Sequence, residues 1–240
     1  MKAIIPAAGH GTRFLPVTRV IPKEMLPIGS KPALELIVEE AKSAGADEIV
    51  MVISPGKELI REYFKGDPSI SFVYQYEQRG LGHAVLQAAD SVKAEDESVL
   101  ILLGDALVAG CNASQLMVAQ SKENGGACVI GLERVPAEKT CRYGIVKIED
   151  GRIVDMVEKP ASQDAPSDLA VAGRYLLDVK IFAYLSDQTA GVGGEIQLTD
   201  AIRRMLAEKK VVGCVYPGKR QDIGNPQGYL KALESMNENR

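Results

Sequence analysis

Residues Pro6 to Pro16 read PAAGHGTRFLP, and they place two glycines, a threonine and an arginine directly after the apolar run Ala3-Ile4-Ile5. Glycines at the carboxyl end of a first strand let the backbone come close to a phosphate. The dinucleotide pattern GxGxxG fails at its third glycine, because Phe14 occupies that position after Gly9 and Gly11. A Walker loop needs Gly-Lys-Ser/Thr, and the chain has none. What remains is Gly9-His10-Gly11-Thr12-Arg13, with Lys23-Glu24 ten residues beyond the arginine. An arginine fork, a lysine point charge and open backbone amides suit a triphosphate. On these residues alone, an ordinary structural turn explains the loop equally well.

The elements that would position such a loop alternate along the first half. A strand over Ala3–Ile5 is followed by a helix that Ser30 and Pro32 introduce, with Leu34, Ile37, Val38 and Ala41 on one face and Gly45 at its end. Ile49–Ile53 and Val99–Leu103 are unbroken apolar runs, the pattern of strands buried on both faces of a parallel sheet. Between them the spacing predicts a helix over 58–64, a strand over 70–76 and a helix beginning near Gly82. This order defines an α/β fold with a doubly wound, mostly parallel mixed sheet. The second half is richer in β-structure: Asp150-Gly151 marks a hairpin between 144–148 and 153–157. A strand over 170–176, helices near Ile181 and over 196–206, and a strand over 211–216 follow. No linker or repeat divides the chain, so residues 1–240 read as one domain.

Composition excludes several classes. Lys+Arg total 28 against 32 Asp+Glu, a net charge of −4 with no basic block, which speaks against a nucleic-acid partner. Gly9, His10, Gly11 and Arg13 interrupt the apolar amino terminus too early for a signal peptide, and no run approaches a membrane span. Cys111, Cys128, Cys141 and Cys214 lack metal-type spacing and read as reduced thiols of a cytoplasmic protein. The two histidines, His10 and His83, have no triad partners and read as loop and helix-start residues.

The segment AAGHGTRFLP…IPKEMLPI resembles the signature of the sugar-1-phosphate nucleotidyltransferases, and in particular of their bacterial UTP- and glucose-1-phosphate-using members. The likeness continues in order through GLGHAV at 80–85, LLGD at 102–105, VEKP at 157–160, GRYLL at 173–177, GGEIQLTDAI at 193–202 and DIGNPQGY at 222–229. It implies a nucleotide-diphospho-sugar transferase fold, residues 1–110 serving mainly the nucleotide and 111–240 mainly the sugar. It also implies a Mg²⁺-assisted transfer of a uridylyl group from UTP to a sugar 1-phosphate. The nucleophile is already an anion, so cations and positioning rather than a general base must supply the rate.

By that resemblance Arg13 and Lys23 neutralise the leaving pyrophosphate, while Ala8, Gly9, Gly11 and Thr12 bring backbone to the nucleotide. Asp105 lies at the end of a buried strand, where open α/β sheets bind ligands. With the distant Asp222 it would hold Mg²⁺, which takes one or two carboxylates plus phosphate oxygens. Gln75 and Gly80 would read the base, since one amide offers both a donor and an acceptor to uracil; Gln78 is the local competitor. Gly144, Glu158 and Lys159 would hold the sugar phosphate, and Glu195 would add a hydroxyl contact or serve as a helix-end carboxylate.

Ala106 stands where some relatives carry Asp or Asn, and the chain is short between Phe64 and Gln75 and after Leu233. Such additions often make subunit contacts, so a homo-oligomer stays open. Another sugar 1-phosphate, dTTP in place of UTP, and a non-catalytic nucleotide-binding regulator are the alternatives. The joint presence of Arg13, Lys23, Asp105, Lys159 and Asp222 argues against the last.

Overall fold

The structure is a computed structural model, and it describes residues 1–93 and 96–237. Strand β1 (Lys2–Pro6) leads into the glycine loop and then a short hairpin, β2 (Pro27–Ile28) and β3 (Lys31–Pro32), turned by Gly29. Helix α1 (Ala33–Ser43) begins directly after Pro32, three residues later than Ser30, because the chain from Pro27 to Pro32 is spent on that hairpin. Its buried face is Ala33, Leu34, Ile37, Val38 and Ala41, the stripe the sequence spacing defines. β4 (Glu48–Ile53), α2 (Glu58–Phe64), β5 (Ile70–Tyr74), α3 (Leu81–Leu86) and β6 (Ser98–Leu102) complete the first half.

β1 pairs in parallel with β4 and with β6, and β4 pairs in parallel with β5. Alternation along these strands feeds two cores. Ala3, Ile5, Ile49, Met51 and Leu100 face α1 and α2, whereas Ile4, Val50, Val52, Val99 and Ile101 face the layer that holds α3. Both faces are therefore sealed, which is why these strands read as continuous apolar runs.

The second half adds β7 (Ala106–Ala109), α4 (Ala113–Glu123), β8 (Cys128–Arg134) and the hairpin β9 (Gly144–Glu149) and β10 (Arg152–Glu158). Asp150 and Gly151 both adopt positive φ, 48° and 74°, as a two-residue turn of type I′ requires. There follow β11 (Leu169–Asp178), α5 (Ile181–Ser186), α6 (Leu198–Met205), β12 (Val211–Val215), β13 (Lys219–Asp222) and α7 (Pro226–Asn237). No helix among the described residues is long and apolar enough to cross a membrane.

The ten-residue β11 joins the halves. From Arg174 to Asp178 it runs antiparallel to β6, and at Ala170 it touches β9 instead, so β6 and β9 share one edge of the same strand. The change falls at Gly173 (φ +78°), where the pairing with β8 also shifts register. A side chain at 173 would stand 3.1 Å from Leu103 and 3.3 Å from Ala106. The sheet thus opens just beyond the end of β6, and the crevice lies at that switch point.

A buried ion pair fixes the opening. Arg174 is fully buried, and its Nε and Nη2 donate to Glu40 at 2.9 and 2.7 Å. It also donates to the carbonyls of Gly173 (3.0 Å) and Ala106 (2.7 Å). Ser114 completes the Glu40 carboxylate from α4. Burial pushes the Glu40 carboxyl up, but the Arg174 charge and these donors outweigh it and hold it below the usual range. Removing one partner of such a pair strands a charge. Arg174→Met should therefore cost about 3–5 kcal/mol in urea denaturation at neutral pH. Because Glu40 titrates lower folded than unfolded, its stabilisation is complete above about pH 5 and lost as pH falls through the folded value. A denaturation series should show a shallower acid limb in Glu40→Gln than in the unsubstituted protein.

Candidate active site

Two pockets meet at the carboxyl ends of β1 and β6. One, of 320 Å³, is lined by Ala8, Gly9, Lys23, Gln75, Gly80, Asp105 and Glu195. The other, of 300 Å³, is lined by Arg13, Asp105, Gly144, Glu158, Lys159 and Asp222. Asp105 belongs to both.

The glycine loop is built tightly on its inner side. Ala7 and Ala8 are buried, whereas Gly9, Thr12 and Arg13 are exposed. Gly11 takes φ +64°, its carbonyl accepts from Thr18 Oγ1 at 2.9 Å, and an added methyl would meet Thr18 at 2.9 Å. Gly11 and Thr12 line neither pocket, and the positive φ of Gly11 turns the chain there. Beneath the loop, Lys57 Nζ donates to the Ala7 carbonyl (2.6 Å) and to both oxygens of Glu24 (2.9 and 2.8 Å). Both side chains of this pair are buried, and burial pushes each toward neutrality, Glu24 up and Lys57 down.

Lys23 donates to Asp105 Oδ2 across the cleft floor. Burial opposes the Lys23 charge, but Asp105, Glu24 and Asp222 together raise its pKa above the usual lysine range. Burial likewise pushes Asp105 up, and Lys23 and Lys57 more than cancel this to hold it low. Asp222 reaches the same point through the β7–β13 ladder, where it pairs with Ala106, and Ile223 N–H donates to the Asp105 carbonyl at 2.9 Å. A methyl added to Gly224 would lie 2.9 Å from Asp222 Oδ1 and 3.0 Å from Asp105 Oδ2, so the carboxylates converge. Ala106 faces Gly173 and contributes its carbonyl to Arg174.

Gln75 follows β5 and is 2% exposed. It is therefore not the outward-facing strand residue its neighbours Tyr74 and Tyr76 would suggest. Gly80 takes φ +101° against the 195–196 loop, and a Cβ there would stand 2.7 Å from Glu195 Cβ and 2.9 Å from the Ile196 carbonyl. Glu195 accordingly lies on the Gln75 side of the cleft, three residues ahead of α6, where Gln197 Nε2 donates to it at 3.0 Å. Arg13, conversely, lies on the Glu158 side.

Glu158 ends β10 and accepts from Thr199 Oγ1 at 2.6 Å, with Lys159 Nζ at 3.5 Å. Lys159 holds a left-handed φ of +45°, a strained conformation of the kind that collects at functional sites. A methyl on Gly144 would lie 3.1 Å from Thr199 Oγ1 and 3.3 Å from Glu158 Oε2, so the backbone there closes directly on the carboxylate. Sequence reasoning missed Thr199, Arg142, Arg220 and the Glu24–Lys57 pair. Arg142 and Arg220 line the second pocket, and Arg220 pairs with Glu133 while stacking 4.3 Å over Tyr143. The one local signal was a glutamate beside Lys23 in an otherwise apolar segment, which needed a buried cation.

A glycine loop, cations and two converging carboxylates at the switch point of an open α/β sheet define a protein that handles phosphate esters. The family model described as nucleotidyl transferase matches residues 2–239, and the chain belongs to that family. It is 39% identical to the UTP–glucose-1-phosphate uridylyltransferase of Bacillus subtilis, over 95% of this chain and 88% of that protein. A second relative, UTP–glucose-1-phosphate uridylyltransferase 2 of Staphylococcus saprophyticus, is 41% identical over 96% and 89%. Among solved structures, a UDP-glucose pyrophosphorylase complexed with UDP-glucose superposes with a TM-score of 0.91 at 35% identity, covering 100% of this chain and 99% of that one. A UTP-bound relative from Acinetobacter baumannii gives 0.87 at 34%, covering 100% and 94%.

Substitution at Gly80 tests the closeness of the two loops. Gly80→Ala forces a β-carbon into a positive-φ site already in contact with backbone, and should lower stability by about 1–3 kcal/mol in thermal denaturation.

Proposed function

We propose that this protein transfers the uridylyl group of UTP to glucose 1-phosphate, releasing pyrophosphate and forming UDP-glucose. The observation that carries the reading is the meeting of the two pockets at Asp105, with Gln75 and Lys23 in one, Glu158 and Lys159 in the other, and Lys23 hydrogen-bonded to Asp105. The names of the relatives support the choice of substrates.

In this reading Gln75 and Gly80 hold the base, and Gly9 brings backbone to the phosphates. Glu158, kept in place by Thr199, accepts from sugar hydroxyls, while Lys159 meets the sugar's phosphate. An oxygen of that phosphate attacks the α-phosphorus of UTP, the bond to the β-phosphate breaks, and the electron pair leaves with pyrophosphate. No proton need be removed from the nucleophile. Lys23, kept charged by the carboxylates around it, neutralises the leaving group, and Arg13 adds charge from the sugar side. Holding two anions in line, with cations already fixed, is the main source of rate.

Asp105 and Asp222 suit Mg²⁺, since two carboxylates leave the remaining octahedral positions to phosphate oxygens and water. When bound, the ion would spread the charge of the phosphate oxygens.

Pyrophosphate release, measured with UTP, dTTP, ATP and GTP against a panel of sugar 1-phosphates, tests the reading. The pair UTP and glucose 1-phosphate should give the highest kcat/KM, and silence with every pair from folded protein would refute it. Lys23→Ala should lower kcat by about 10²–10³ with the circular dichroism spectrum unchanged. Asp105→Ala and Asp222→Ala should each abolish Mg²⁺-dependent turnover; full activity in either would remove that residue from the ion's site.

A further inference from the structure

A glutamine amide is nearly symmetrical. Turned one way it offers an acceptor to the N3–H of uracil; turned the other, it offers a donor to the bare N3 of cytosine. A free glutamine therefore cannot tell the two bases apart, and selection requires something that fixes the amide. In this protein the amide nitrogen of Gln75 has two polar neighbours. Nε2 donates to the Gly80 carbonyl at 3.2 Å and lies 3.0 Å from Nδ1 of His83. The carbonyl can only accept, so it sets the nitrogen on that side. His83 Nδ1 must then accept as well, which places the ring's proton on Nε2. Gln87, which caps the end of α3, is the competing neighbour: its Nε2 donates to the His83 carbonyl at 3.2 Å and stands 3.2 Å from the ring Nε2. It is half-buried where Gln75 is buried, so Gln87 is the amide that turns to suit the ring. Gln75 Oε1 accepts nothing among the described residues, is not a sealed polar atom, and belongs to a side chain that lines the first pocket.

We propose that His83 is the positioning residue for base selection: with the Gly80 carbonyl, its Nδ1 pins the Gln75 amide so that only Oε1 meets the bound base. The site then takes pyrimidines that carry an N3–H and rejects cytosine. Rotating the amide to suit cytosine would set Oε1 against two acceptors, the Gly80 oxygen and the His83 lone pair. This inference rests on the uridylyltransferase reading, and it gives His83 a part that the sequence, where it reads as a helix-start residue, does not reveal.

The test is the ratio of dissociation constants for CDP and UDP, measured by titration calorimetry, with the ratio of kcat/KM for UTP and CTP beside it. His83→Leu removes the acceptor and should reduce the preference for UDP about tenfold, the equivalent of about 1.4 kcal/mol. The loss should come mostly from tighter CDP binding, a change that general damage to the pocket would not produce. His83→Asn keeps an acceptor oxygen at the δ position and should retain most of the preference. Where His83→Leu fails to fold, His83→Phe makes the same test with a ring of similar size. An unchanged preference in the acceptor-free variant, or an equal loss in His83→Asn, overturns the proposal. If the unsubstituted protein turns over UTP in either case, the reading of its activity stands without this inference. Equal affinity of the unsubstituted protein for UDP and CDP overturns this inference alone, whereas only silence in the turnover panel overturns the reading of its activity.

Discussion

Arg174 carries its charge into a region of the sheet that water does not reach, and the geometry around Asp105 follows from how that charge is satisfied. Glu40 takes two of its donors, and the carbonyls of Gly173 and Ala106 take one each. Those carbonyls flank the turn that presents Asp105. The ion pair is thus less a source of net stability than a constraint on where the chain can go, since breaking it leaves a charge without solvent. It ties α1 to β11, and through them sets the spacing between the end of β6 and the start of β7.

The cleft concentrates charge of both signs. With 28 cationic and 32 acidic side chains the protein is mildly acidic, and in the two pockets Arg13, Lys23, Arg142, Lys159 and Arg220 are matched by Glu24, Asp105, Glu158, Glu195 and Asp222. The carboxylates there are arranged with the cations rather than scattered among them. Lys23 sits between Asp105 and Glu24, Lys57 backs Glu24 from below, and each charge has an opposite neighbour. Such an arrangement keeps Lys23 charged without help from a ligand. A site of this kind can receive phosphates without first reorganising.

Much of the frame was legible in the sequence for simple reasons. The apolar runs 49–53 and 99–103 could belong only to strands covered on both sides, and β4 and β6 are such strands. Asp150-Gly151 announced its hairpin because few residue pairs tolerate two positive φ angles. The middle of the chain was silent. Helix α4 buries Ala113, Ser114, Met117 and Ser121, a face too polar to stand out, and its hydroxyls are satisfied only by Glu40 and the Ala127 carbonyl. Asn112, which caps it by accepting from Gln115 N–H, was the overlooked local sign. Strand β8 lies between β11 and β12 and is interrupted by Gly131, which reads as a break until its neighbours are known.

By itself the sequence determined the class of fold and, through the ordered blocks it shares with its family, named candidate residues: Lys23, Gln75, Asp105, Glu158, Lys159 and Asp222. Chain order carries that much because strand periodicity and turn chemistry are local. The tertiary structure decided which of them share a pocket. It moved Glu195 to the side of Gln75 and Arg13 to the side of Glu158, and it withdrew Gly11 and Thr12 from both pockets. It also brought Glu24 to Lys57, Glu40 to Arg174 and His83 to Gln75. Buried charges and amides find partners by proximity in space, and a linear order of residues does not encode which distant segment will arrive.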